Sequence, residues 1–210
     1  NPWDGDHLYD LYEKAALPLE WHQQLFDYGH ELGIAIFSSP FDASAVELLE
    51  SLGAPAYKIA SFELVDHELI RLCASTGKPM IMSTGMASLS EISEAVEVAR
   101  NAGATDLILL KCTSAYPASP DTINLNTLPH LAQSFDVHVG LSDHTLACGV
   151  SIAATALGAI VIEKHVTLAR ADGGVDSSFS LEPAELTLLV NETRKAHAAL
   201  GKVSYVQGDV

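Results

Sequence analysis

GLSDHTLACGVSIAATALGAIVIEKHVT, residues Gly140–Thr167, is the stretch whose reading decides the fold. An apolar approach, Val137–Leu141, stops at Ser142, Asp143 and His144. A second apolar run, Ala159–Ile162, stops at Glu163, Lys164 and His165. Between them Cys148–Leu157 carries a small-residue helical pattern. The order is strand, helix, strand, with polar chemistry gathered where each strand ends. Continuous β-branched runs indicate strands buried on both faces, which parallel sheets require. In parallel α/β folds the C-terminal strand ends face one common site. His144 and His165, 21 positions apart, are therefore expected on neighbouring strand ends within reach of one ion. Either alone favours the reading of a strand-end histidine bonded to a backbone carbonyl. Two at matching places in consecutive units favour a shared site.

Outward from this stretch the same unit repeats. Helical patterns over Glu20–Leu32 (Leu25, Tyr28 and Leu32 at i, i+3 and i+7), Ser44–Leu52, His67–Ser75 and Leu89–Ala102 each end at a glycine. They alternate with strands Ile34–Phe37, Ala56–Ile59, Pro79–Met82 and Asp106–Lys111, and a short helix follows over Thr127–Ser134. Pro183–Leu200 reads as the last helix, with Pro183 in its first turn. Six strands, each followed by a helix, result. No Gly-rich dinucleotide fingerprint follows any of them, which weighs against a doubly wound fold. The pattern predicts an α/β protein: a (β/α)8 TIM barrel, a fold of ~250 residues, truncated before its third strand and keeping six of its eight βα units. Residues 19–202 are the expected barrel domain, 1–18 a leading surface segment, and 203–210 the start of a linker. Asn1 is an unusual first residue, so the chain is expected to be a fragment.

With 210 residues, 48% of them hydrophobic, the chain can bury one sizeable core. A formal net charge of −16 argues against nucleic-acid binding, which needs Lys and Arg to neutralise phosphates. Any anion must be held locally. Three cysteines, Cys73, Cys112 and Cys148, are an odd and widely spaced set, suggesting reduced thiols in a cytoplasmic protein. The longest apolar run, Gly149–Ile162, is shorter than the ~20 residues of a membrane span.

The strand ends carry Ser38-Ser39, Lys58 with Ser61 and Glu63, Ser83-Thr84, Lys111 with Thr113 and Ser114, Ser142 with His144, and Lys164 with His165. Three lysines at six strand ends, in a chain with only 11 Lys plus Arg, point to an anion in the barrel mouth. Lysines that merely keep the rim soluble are the alternative. Two imidazoles make an incomplete site for Mn, Fe, Co or Zn, whose open positions would polarise a carbonyl oxygen. Glu63 is either an acid/base or the salt-bridge partner of a strand-end lysine.

SSPFD (Ser38–Asp42), YKIASFE (Tyr57–Glu63), GKPMIMSTGM (Gly77–Met86), LKCTSAYP (Leu110–Pro117), LSDHT (Leu141–Thr145), IEKHVTL (Ile162–Leu168) and SLEP (Ser180–Pro183) resemble the sialic-acid synthase family, in order, over Leu19–Gly201. WDGDHLYDLYEKA (Trp3–Ala15), EWH (Glu20–His22) and GGVDSSFSLEP (Gly173–Pro183) are similar to its pseudaminic acid synthase branch. N-acetylneuraminate synthases carry GPDHxxSLEP at the last of these. The resemblance implies condensation of phosphoenolpyruvate with an amino-sugar aldehyde, here a 2,4-diacetamido-2,4,6-trideoxy hexose. N-acetylneuraminate and legionaminic acid synthases are the nearest alternatives. It also implies that His144 and His165 bind a divalent metal, Mn²⁺, and that Ser39, Lys58, Ser61, Ser83, Tyr116 and Ser142 hold phosphoenolpyruvate. Ser114 stands where relatives often have Asn. Glu63 would act near the reacting carbons and Asp176 would contact the sugar. Ala169 replaces the Asp of the family's TLDR. The family's first two strands carry a Glu and a Lys of the active site, and its C-terminal antifreeze-like domain caps the partner's site in a homodimer; this sequence contains none of these. Two rivals stand beside this reading: a Schiff-base aldolase using Lys58, and a non-catalytic barrel fragment.

Overall fold

The computed structural model describes residues 7–205. Trp3, Asp4 and the rest of 1–6, with the last five residues of the expected linker, lie outside the described residues. Five strands, β1 (Tyr57–Ile59), β2 (Met80–Ser83), β3 (Leu107–Cys112), β4 (His138–Ser142) and β5 (Val161–Glu163), form one parallel sheet in sequence order. Among the described residues eight α-helices accompany them: α1 (Leu8–Ala15), α2 (Trp21–Glu31), α3 (Ala43–Ser51), α4 (His67–Ser75), α5 (Leu89–Asn101), α6 (Thr127–Phe135), α7 (Gly149–Ala156) and α8 (Pro183–Leu200). Local chemistry sets several of the helix starts. Asp42 caps α3, and Ser88 and Glu91 close a capping box at α5, each cap typically contributing about 1 kcal/mol. Glu182 and Glu185 form the equivalent box at α8, just before and after Pro183 and Ala184.

The sheet is strongly curled. Lys58 of β1 and Glu163 of β5 form an ion pair at 3.5 Å. Four strand spacings would hold them roughly 19 Å apart in a flat sheet. Only a wall bent toward a barrel brings the first and last strands together on its inner face. Alternation along the strands then sorts the side chains. Tyr57, Ile59, Met80, Met82, Leu107, Leu109, Val139 and Leu141 join the helices in the main core. Lys58, Ser83, Leu110, Cys112, Ser142 and Glu163 have the opposite parity and face inward. Gly140 is required on that inner face, because a Cβ there would meet the Val161 carbonyl oxygen at 2.5 Å and Leu110 Cδ2 at 2.6 Å.

One expected strand is not formed. Ile34–Phe37 has no ladder; its neighbourhood contributes a single backbone bond, Lys58 N–H to the Ser38 carbonyl, at 3.4 Å. Its other edge has no partner among the described residues, and Ile34 and Phe37 remain exposed. The six expected strands are therefore five. The stripe that reveals α2 in the sequence is not the face it buries. Leu25, Tyr28 and Leu32 are exposed, while Phe26 and Gly29 are buried. Gly29 allows the close approach, since a Cβ there would touch Ile36 Cγ2 at 3.0 Å. Among the described residues no helix is long and apolar enough to cross a membrane.

Candidate active site

The inner face of the curled sheet ends, at its C-terminal rim, in one connected polar cluster. Lys58, 7% exposed, donates to Ser83 Oγ at 2.8 Å and to the Ile59 carbonyl at 3.1 Å, and pairs with Glu163. The other oxygen of Glu163 accepts from Ser142 Oγ at 2.6 Å. One carboxylate thus spans β1 and β4. Cys112 lies at the centre of the cluster. Burial alone would push its thiol up, but hydrogen bonds with His144, Ser61 and Ser142 reverse the balance and hold it below the usual thiol range.

Ser61 and Ser114 meet around Gly85. A Cβ at Gly85, where φ is +29°, would lie 2.3 Å from Ser61 Cβ and 3.1 Å from Ser114 Oγ. Ser114 Oγ and Glu63 Oε2 are buried without a hydrogen-bond partner. Buried polar atoms are normally satisfied, so these two have hydrogen-bonding capacity to spare at the mouth. Burial raises the Glu63 carboxyl above its usual range, against the opposing pull of its own backbone N–H and of Lys58. Gly85→Ala is expected to destabilise the protein by roughly 1–3 kcal/mol through overpacking, read as a lower urea midpoint; an unchanged midpoint would show that the Ser61–Ser114 cradle yields freely.

The two histidines come together. Their ring centroids are 5.3 Å apart, edge to face. His144 Nδ1 bonds the Thr113 carbonyl at 2.9 Å, and His165 Nδ1 meets the Asp176 carboxylate at 3.2 Å. At His144 the strand-end bond to a carbonyl is present, and its ring also stands beside that of His165. With each Nδ1 engaged, Nε2 is the nitrogen that would ligate, at His144 in exchange for its bond with Cys112, and such partners orient metal-binding imidazoles. Among the described residues no third His, Cys, Asp or Glu completes a ligand set. Two imidazoles with positions open to water and substrate oxygens fit a divalent ion of the Mn–Zn series. Burial would lower His144, but hydrogen bonds to Cys112 and the Thr113 carbonyl hold it above its usual range; burial pulls His165 below, against Asp176.

Aromatic rings wall the pair. Tyr116 packs at a tilt on His144 at 4.3 Å, and Phe179, 4% exposed, packs on His165 at 5.1 Å and on Tyr116 at 5.4 Å. Burial pushes the Tyr116 phenol up to about 12. The loop carrying Asp176 and Phe179 leaves the rim after His165 and returns beside it, with Leu181 N–H on the His165 carbonyl and Thr167 N–H on the Leu181 carbonyl. Arg170 braces the excursion, pairing with Glu182 and Glu185 at the start of α8. Ala169 sits directly before this brace.

Ser39 is half-buried one residue beyond Ser38, at the level of the β1 exit. Two lysines of the expected anion cluster point elsewhere. Lys111 shares the parity of Leu107 and Leu109, so it leaves the inner face and donates to the Cys112 carbonyl and Thr113 Oγ1. Burial lowers its pKa. Lys164 likewise turns to the helix side and pairs with Asp143. Position at a strand end does not decide direction; alternation does. Lys58 is the one strand-end lysine on the inner face among the described residues. Glu163, Cys112 and Gly85 were not singled out from the sequence. Counting parity back from His165 and forward from Leu110 places Glu163 and Cys112 on the inner face.

A curled parallel sheet with its polar groups at the C-terminal mouth defines a (β/α)-barrel protein of the TIM type. The model of the NeuB family matches residues 1–205, and the chain belongs to that family. It is 46% identical over 200 residues to the pseudaminic acid synthase of Helicobacter pylori, covering 95% of this chain and 59% of that one. It is 41% identical to an N,N'-diacetyllegionaminic acid synthase of Campylobacter jejuni, covering 91% and 58%. The solved N-acetylneuraminic acid synthetase of Leptospira borgpetersenii, in complex with citrate, superposes with a TM-score of 0.90 at 31% identity, covering 98% of this chain and 72% of that one. The chain spans less than two thirds of the length of these curated relatives.

Proposed function

We propose that this chain carries the phosphoenolpyruvate and metal sites of a pseudaminic acid synthase, which condenses phosphoenolpyruvate with a 2,4-diacetamido-2,4,6-trideoxy hexose and water to give the nine-carbon acid and phosphate. The observation that carries the reading is the convergence of a buried lysine, four serine hydroxyls and two oriented imidazoles at one barrel mouth. Lys58 and the hydroxyls of Ser61, Ser83, Ser114 and Ser142 suit carboxylate and phosphate oxygens. His144 and His165 would hold Mn²⁺, which supplies Lewis-acid polarisation of the aldehyde oxygen when bound.

In the reaction C3 of phosphoenolpyruvate forms a bond to the aldehyde carbon, and the aldehyde oxygen takes a proton. Water adds at C2 and loses a proton. The C2 hydroxyl of the resulting tetrahedral centre then passes its proton to the departing phosphate as the C–O bond to phosphate breaks, leaving a ketone. Glu63, shifted toward its neutral form by burial, is placed to hold and transfer the proton of the adding water. Lys58 offsets charge on the phosphate and carboxylate as the C–O bond lengthens. A Schiff-base reaction at Lys58 fits less well, because its ammonium is committed to Ser83, the Ile59 carbonyl and Glu163.

The choice among nonulosonic acids rests on the loop after His165. Phe179 gives the histidine pair an apolar wall, and Ser177 stands where N-acetylneuraminate synthases carry His. An apolar ring beside small hydroxyls suits a 6-deoxy sugar, although apolar contact alone discriminates only about 10²-fold against an added hydroxyl. The full-length enzyme is therefore expected to show a higher kcat/KM for 2,4-diacetamido-2,4,6-trideoxy-altrose than for N-acetylmannosamine in a phosphate-release assay. Equal values would move the protein to the neuraminate branch, and a preference for the legionaminic precursor would move it to that one.

A further inference from the structure

Directly behind the histidine pair, on the helix side of the sheet, lies an ion pair that the reaction does not use. Asp143 and Lys164 precede His144 and His165 by one residue each. Their side chains are 0% and 5% exposed, and they meet at 3.1 Å. Asp143 Oδ1 accepts from the Thr145 N–H at 2.9 Å and from Thr145 Oγ1 at 2.7 Å; its Oδ2 accepts from Ser151 Oγ of α7 at 2.5 Å. Lys164 Nζ also donates to the Thr145 carbonyl. The ammonium of one strand end therefore grips the residues on both sides of His144, while its own backbone leads directly into His165. Asp143 N–H on the Glu163 carbonyl at 2.9 Å closes the frame.

We propose that Asp143 and Lys164 are positioning residues whose pairing sets the spacing and orientation of His144 and His165 for a divalent cation. The proposal rests on the metal reading above. Parity makes the arrangement work. The histidines turn inward toward the mouth, and the residues before them turn outward, where a low-dielectric layer between sheet and helices keeps the pair strong. A shift of β5 along β4 would break the Lys164 contacts to Asp143 and Thr145 together, so the histidine separation cannot drift while the pair is intact. Buried ion pairs are weak evidence for stability but are attested as devices that fix register.

The test separates positioning from stability. The double variant Asp143→Asn with Lys164→Met keeps an acceptor for Thr145, lets the new amide donate to Ser151, and removes one charge of each sign, so the field at the metal changes little. In the full-length protein, thermal unfolding, Mn²⁺ titration by calorimetry and metal-free phosphoenolpyruvate titration are compared with wild type and with His144→Ala. The expected result is a melting temperature near wild type, unchanged phosphoenolpyruvate affinity, and Mn²⁺ binding weakened about tenfold or more, the scale of outer-shell losses. Wild-type Mn²⁺ affinity in the double variant overturns the clamp and leaves the metal reading standing. Mn²⁺ binding equal in wild type and His144→Ala overturns both. If the double variant does not fold, Lys164→Arg decides the matter, because it keeps the charge but cannot place one nitrogen on both Asp143 and the Thr145 carbonyl; unchanged Mn²⁺ affinity there also overturns the clamp.

Discussion

Replacing either His144 or His165 with alanine is expected to abolish Mn²⁺ binding and metal-dependent turnover while leaving the barrel folded. The donor set is small, so the loss is large. Two imidazoles are the donors the cluster would offer a metal, and among the described residues no third His, Cys, Asp or Glu joins them in a group that could hold one. Deleting one leaves a single nitrogen. Changing only an outer partner of a metal-bound histidine typically costs 10–100-fold, and removing a ligand should exceed that. The fold should survive because neither ring belongs to the main sheet–helix core. His144→Ala frees the Thr113 carbonyl and loses the tilted contact with Tyr116; His165→Ala leaves Asp176 facing a partly open loop. Asp176→Asn makes a useful intermediate, since it keeps a hydrogen-bond acceptor for His165 but drops the charge, and it should fall in the 10–100-fold range. Metal content and Mn²⁺ titration of the three variants check this, and unchanged metal content in both alanine variants would remove the pair from any metal site.

Much of this architecture is readable in the residues themselves. The bounds of α4 and α8 coincide with the periodic stretches His67–Ser75 and Pro183–Leu200, because local signals, capping carboxylates and a first-turn proline, fix where those helices start. The β4–α7–β5 unit is equally legible, since its strands are apolar runs closed by polar residues. What local signals do not encode is pairing. Ile34–Phe37 has strand composition, yet a strand exists only where a neighbour completes the ladder. Nor did position at a strand end say which way a lysine points. Lys58, Lys111 and Lys164 occupy similar places in the sequence, and only Lys58 faces inward, because parity within each strand assigns Lys111 to the layer of Leu109 and Lys164 to the layer of Ile162. The same rule puts Glu163 inside, where it meets a lysine 105 positions earlier in the chain. That contact depends on the closure of the whole sheet and leaves no mark in either segment alone.

Because Lys58 is the one inward strand-end lysine among the described residues, its removal should be felt strongly by an anionic substrate. Lys58→Ala is expected to weaken phosphoenolpyruvate binding, measured without sugar, by the roughly 2–5 kcal/mol typical when one partner of a buried hydrogen-bonded charge pair is truncated. That is about 30- to 4,000-fold in Kd. Part of the loss is repulsion rather than missing attraction. With Lys58 gone, the Glu163 carboxylate keeps its bond from Ser142 but loses its counter-ion and faces the incoming anion uncompensated. Glu63, which Lys58 holds partly in check, should rise further above the carboxylate range. These two consequences can be separated. Adding Glu163→Gln to Lys58→Ala removes the uncompensated charge while the amide oxygen still accepts from Ser142, so the double variant should regain part of the lost affinity. Calorimetric titration of wild type, the single variant and the double variant measures both steps. Equal phosphoenolpyruvate affinity in wild type and Lys58→Ala would take Lys58 out of the anion site. A double variant no tighter than Lys58→Ala would show that Glu163 turns away from the anion once its lysine is lost.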